Sequence, residues 1–171
     1  MRWLLVALTL GLSASALDTQ ASAKPTCPDG SSPPCSDQGG GGQVRIASLD
    51  DIYLGRWLGW GALEGEDAHC VLGGKPNGRF KLIARGSGPN GSFELNNGAA
   101  ALSYQVFYND KQLQSGQPKD FQGLKKNKDF DDCLYTGSQR EELRVRISED
   151  ELGRAEAGNY RGTLRLMVEP D

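Results

Sequence analysis

A single histidine, His69, stands beside Cys70 and two residues after Asp67. Three acidic groups punctuate the chain: Asp50–Asp51, then Asp129 with Asp131 and Asp132, and Glu149–Asp150–Glu151. These are the side chains whose types suit acid–base or metal chemistry. A nucleophile needs an adjacent base held in place by a third group, and His69, at the lip of a strand, reads as a surface residue. Glycoside hydrolysis needs two carboxylates facing each other across a cleft, which adjacency in sequence does not provide. The Asp129–Asp132 loop has the ligand type for calcium, but all three acidic groups read as solvated loops. One histidine and the lack of a Cys-x-x-Cys pair argue against zinc. Neither a Gly-x-Ser-x-Gly elbow nor a phosphate loop occurs. The expectation is a protein that is not an enzyme, with no catalytic residue, cofactor or metal.

Two other groups of side chains suit binding. Trp57 and Trp60 flank Leu58-Gly59 in a glycine-rich stretch, where they would either offer a stacking surface for a ligand such as a glycan or plug one end of a fold. Arg144 and Arg146 on one late strand, with Arg161 and Arg165 on another, would form a small basic patch if the two strands shared a sheet. The formal net charge of −3 implies no strongly basic face, so a nucleic-acid partner is not expected.

The N-terminus suggests the compartment in which these residues would be displayed. Met1-Arg2-Trp3 brings one positive charge, Leu4 to Leu12 is an apolar run, and Ser13-Ala14-Ser15-Ala16 supplies small residues. That order predicts a secretory signal over residues 1–16, cut after Ala16 or alternatively after Ala23. The run is well short of the roughly twenty residues that span a bilayer, so no membrane insertion is expected. In an oxidising compartment Cys27, Cys35, Cys70 and Cys133 read as disulfides, with three connectivities open. Local pairing of Cys27 with Cys35 is the simplest. Cys70 with Cys133 would close a long loop, worth about 3–4 kcal/mol in the chain-entropy account. Residues 24–42 are a Pro/Gly/Ser-rich linker with almost nothing apolar to bury.

From Gln43 to Asp171 the chain reads as one domain of short strands. Period-two alternation marks Gln43–Leu49, Ile52–Trp57, Arg79–Arg85, Ser92–Asn96, Leu102–Tyr108 and Leu143–Ile147. Turn-forming Gly, Pro and Asn stand between several of them, at 73–78, 86–91 and 96–98. Only Glu149–Ala157 reads as a helical turn. This predicts an all-β sandwich or small barrel. In the last strand Tyr160, Gly162, Leu164, Leu166 and Val168 share one face, and Arg161, Thr163, Arg165, Met167 and Glu169 the other.

Taken in order, Leu54-Gly-Arg-Trp57, Cys70-Val-Leu, Phe93-Glu-Leu-Asn-Asn-Gly98, Leu102-Ser-Tyr-Gln-Val-Phe-Tyr108 and Ala155-Glu-Ala-Gly-Asn-Tyr160-Arg-Gly-Thr-Leu-Arg-Leu-Met-Val168 resemble the subunits of archaic chaperone–usher pili and the related spore-coat-U-like secreted domains. The resemblance covers roughly residues 43–171. It implies an immunoglobulin-like β-sandwich lacking its final strand, whose apolar groove is filled first by a periplasmic chaperone and then by a neighbouring pilus subunit. The strand-acceptor edge would then be Tyr160, Leu164, Leu166 and Val168, with no partner strand in this chain. The protein would pass through the periplasm to the cell surface or be secreted. The sequence departs from the family pattern in residues 24–42, which hold none of the alternating apolar side chains a donor strand needs. The alternative reading is a free-standing secreted β-sandwich that binds a ligand through Trp57 and Trp60.

Overall fold

In a computed structural model, which describes residues 4–10, 44–73, 79–122 and 140–170, the alternating segments become the strands of two sheets. The strands are β1 (Leu4–Leu10), β2 (Val44–Ala47), β3 (Ile52–Trp57), β4 (Leu63–Gly73), β5 (Arg79–Arg85) and β6 (Glu94–Asn96), followed by β7 (Ala101–Ser103), β8 (Gln105–Tyr108), β9 (Lys111–Gln112), β10 (Lys119–Gln122), β11 (Glu141–Ile147) and β12 (Asn159–Pro170). One sheet has the order β10-β5-β12-β1-β3, with β6 on β12 and β7 on β6. The other has the order β2-β4-β11-β8-β9. The fold is an all-β sandwich, as the alternation predicts.

The inward faces of the two sheets meet in one core. Phe80, Leu82 and Ala84 of β5, and Leu143, Val145 and Ile147 of β11, are the alternate residues of their strands, and all are buried. Phe80 meets Tyr108 from the other sheet edge-on, and the Phe121 ring lies 4.7 Å from the Tyr108 ring. The predicted strand Leu102–Tyr108 is broken at Tyr104, whose N–H donates to the Phe93 carbonyl. Its inward set Leu102, Tyr104, Val106 and Tyr108 is nonetheless entirely buried. Asn109 and Asp110, both with positive φ, make the two-residue hairpin turn between β8 and β9.

The acidic residues Glu149–Asp150–Glu151 open a short helix, α1 (Glu149–Arg154). The Ser148 hydroxyl accepts from the Glu151 N–H, and three carboxylates lie at the positive end of the helix dipole. Leu152 is the buried residue of this turn. These carboxylates cap a helix that leads the chain into β12.

Gly65 sets how closely β3 approaches β4. A Cβ there would lie 2.5 Å from Cγ2 of Ile52 and 2.9 Å from Cδ2 of Leu54, both core residues. Replacing it with Leu should push β3 off the core and lower stability by about 1–3 kcal/mol, the usual cost of overpacking. Urea titration of the Gly65→Leu variant measures this directly.

Candidate functional site

β3 and β12 lie in one sheet without pairing to each other. Between them runs β1, antiparallel to β3 and parallel to β12, and β1–β12 is the parallel pairing among otherwise antiparallel ladders of the described residues. β1 meets β12 in the register Leu5↔Asn159 through Leu10↔Leu164, so Val6, Leu8 and Leu10 stand opposite Tyr160, Gly162 and Leu164. On the other side Leu4↔Trp57 and Leu8↔Ile52 bound the pairing, with a bulge that Gly55 permits at φ +83°. Among the described residues β3 has no ladder except this one. The seam between β3 and β12 is therefore one strand wide.

Its walls are apolar on the core side. Ile52 and Leu54 from β3, and Tyr160 and Leu164 from β12, are buried, and Leu166 and Val168 are partly buried against the same core. The Tyr160 hydroxyl donates to the Glu156 carbonyl at 3.0 Å, fixing the start of β12. Arg161, Arg165, Met167 and Glu169 face outward, as the alternation of this strand predicts. In this structure Leu4–Leu10, which the sequence reads as part of a secretory signal, runs along the edge at Tyr160 and Leu164. Leu166 and Val168 pair instead with Ala84 and Leu82 of β5.

The two tryptophans part company. Trp57 is half-buried at the end of β3, its indole N–H donating to the Gly61 carbonyl at 2.8 Å, and its ring reaches Gly153 of α1. It packs against the margin of the core. Trp60 is 75% exposed in the following turn, with Leu58 and Tyr53 exposed as well.

His69 is not a surface residue; it is fully buried. β4 pairs with both β2 and β11, which turns Asp67, His69 and Val71 into the core. The Nδ1 of His69 lies 3.3 Å from Oδ2 of Asp67, within ion-pair reach but poorly aligned for a hydrogen bond. Its Nε2 lies 3.2 Å from the Tyr108 hydroxyl, and Oδ1 of Asp67 accepts from the Asp50 N–H. Glu141, across the ladder from His69, is also buried and accepts from the Asn109 side-chain amide. Such a row resembles a proton relay in composition, yet Asp67, His69, Tyr108 and Glu141 are all buried and none offers a face to a substrate. The row fastens β4, β8 and β11 together.

The four arginines do not form one patch, because β11 and β12 belong to different sheets. Arg144 pairs with Asp110 at 2.7 Å and Arg146 with Glu64 at 3.1 Å, while Arg161 and Arg165 lie on the outer face of β12. Cys70 is buried and disulfide-bonded. Cys27, Cys35, Cys133 and the Asp129–Asp132 loop lie outside the described residues, as does the linker 24–42. Among the described residues no group of His, Cys, Asp and Glu is arranged to hold a metal, and no helix is long and apolar enough to cross a membrane. Sequence reasoning missed the Asp67–His69 pair, although their two-residue spacing in a strand places both on one face.

No family model matches the sequence, and no curated protein matches it. Among solved structures the chain is similar to one from a chaperone–tip adhesin complex of CFA/I fimbriae, at 19% identity and a TM-score of 0.47. The match covers 76% of this chain and 41% of that one, so the chain spans about two fifths of the length of the protein it resembles.

Burial pushes the phenols of Tyr104 and Tyr108 above their ordinary range, and the Glu141 carboxylate raises Tyr108 further. Below about pH 10 both chain states keep these protons. Above it the unfolded chain loses them while the folded chain does not, so stability falls as pH rises. Each phenol contributes a slope of about 1.4 kcal/mol per pH unit. Tyr108→Phe should flatten the fall in urea midpoint between pH 10 and 11.5.

Proposed function

We propose that this protein is a non-catalytic, exported, pilin-like subunit that works by accepting a β-strand from a partner into the seam between β3 and β12. One observation carries the reading: the only segment holding these two strands together among the described residues is Leu4–Leu10, which the sequence marks as part of a cleavable signal. Without that segment, β3 has no ladder among the described residues and the Asn159–Leu164 edge of β12 that faces it opens. An open edge over an apolar floor is an aggregation hazard that a cell must cover. A strand supplied in trans restores the backbone bonds and buries alternate side chains, each Leu- or Val-sized one contributing roughly 1.5–3 kcal/mol.

In this reading the acceptor residues are Tyr160 and Leu164 facing Ile52 and Leu54, with Leu166 and Val168 continuing the floor. The partners are a periplasmic chaperone followed by a neighbouring subunit, and the destination is the cell surface. Cys70 would pair with Cys133 and Cys27 with Cys35. A second reading, a free-standing sandwich that binds a glycan, is favoured by the exposure of Tyr53, Leu58 and Trp60 around the end of β3.

Periplasmic expression with and without a chaperone of this class separates the two readings. The processed chain should accumulate only with the chaperone and elute as a complex with it. A processed chain that is monomeric, stable and cooperatively unfolding on its own would overturn the proposal. Loss of glycan binding in Trp60→Ala would then support the second reading.

A further inference from the structure

We infer that the outer face of the β5–β12 ladder is a docking surface for a second copy of this chain. That copy would meet it with the acidic first turn of α1 and the exposed turn at Trp60. On the docking face Arg165 stands directly opposite Arg85, and Arg161 lies about 13 Å along the same side of β12. All three are exposed, and their side chains have no hydrogen-bond or ion-pair partner among the described residues. The neighbouring carboxylate, Glu94 on β6, accepts instead from the Ser92 hydroxyl at 2.9 Å. Like charges directly opposite each other weaken a sheet. The other sheet handles its arginines differently, matching Arg144 with Asp110 and Arg146 with Glu64. Two residues beyond Arg165, exposed Met167 opposes half-buried Ile83, so the bare cations border an apolar row. Arginine beside methionine is the make-up of an interface more than of a solvated face.

The complementary set stands at one end of the same chain. Glu149 and Asp150 are exposed in the first turn of α1, and their carboxylates have no partner among the described residues. Trp57 ties this helix to the turn after β3, its ring reaching Gly153 and its indole N–H holding the Gly61 carbonyl. That turn exposes Leu58 and Trp60. Carboxylates that meet the arginines therefore arrive with an indole suited to a guanidinium face or to the Met167 thioether. Exposed ion pairs are weak singly, so the contact depends on the apolar row as well as on charge. Two different surfaces meet, which makes the association head-to-tail and able to extend beyond two copies. Every residue of the contact lies between Leu58 and Met167, so it belongs to the processed chain and needs no strand exchange.

The test uses the processed chain as it accumulates in the periplasm, alone or bound to a chaperone, in sedimentation velocity runs over a concentration series. The wild-type protein should self-associate, at least about tenfold more weakly in about 1 M salt than in about 0.01 M salt. The double variant Arg161→Glu/Arg165→Glu should lose association, because its face repels the acidic end of the next copy. Glu149→Arg/Asp150→Arg should lose it too. An equimolar mixture of the two variants should associate again, since each reversed surface then finds its complement. Trp60→Ala should weaken association and leave its salt dependence in place. A wild-type protein that stays unassociated at every concentration would overturn the inference, as would a mixture no better than either variant alone. If the α1 variant fails to fold, undiminished association of Arg161→Glu/Arg165→Glu overturns it instead.

Discussion

A strand in the interior of a sheet must find partners for its backbone on both edges, and this fold depends on how that demand is met beside β12. Ladders elsewhere join segments of the domain that pair directly, as β4 joins β11 and β5 joins β12. Between β3 and β12 the demand is met by a third segment, from a part of the chain separated from the domain by a long connection. Side-chain packing does not substitute for that pairing, because unsatisfied amides cost more than a few apolar contacts return. Ile52, Leu54, Tyr160 and Leu164 are buried on the two sides of that segment.

The second sheet shows the opposite arrangement. Its strands are linked through turns and buried polar contacts within the domain: Asn109 bridges the β8–β9 turn to Glu142, and His69 lies between Asp67 and Tyr108. The outer face is tied by Arg144 to Asp110 and Arg146 to Glu64. Exposed pairs of this kind add little stability individually, but they are consistent with β11 as a strand whose neighbours are fixed. The sandwich thus combines one sheet built from strands after residue 43 with one that holds Leu4–Leu10 between β12 and β3.

What was legible in the sequence follows from what is local. Period-two alternation located β3, β5, β11 and β12 closely and put the right residues of each in the core, because a strand's two faces are set by neighbouring residues alone. Glu149–Ala157 was legible as a helical turn, although its carboxylates read as a solvated loop rather than as the charged first turn of α1. Pairing is not local. Whether Arg146 and Arg161 share a sheet depends on topology, and they do not. His69 looked exposed because β4 was not recognised: its alternation places Asp67 and His69 where apolar residues would ordinarily signal a core. The seam was legible only as a missing partner for β12, and neither its other wall, β3, nor its occupant could be read from composition.

β12 pairs along its first half, Asn159–Leu164, with β1, and along its second half, Arg165–Pro170, with β5. One strand therefore spans two regions of different local stability. From Arg165 onward it pairs with β5, whereas before it β12 is held by β1 on one edge and by β6 through Arg161↔Asn96. The middle of β12 is then a boundary between two stretches whose backbone bonds go to different parts of the sheet.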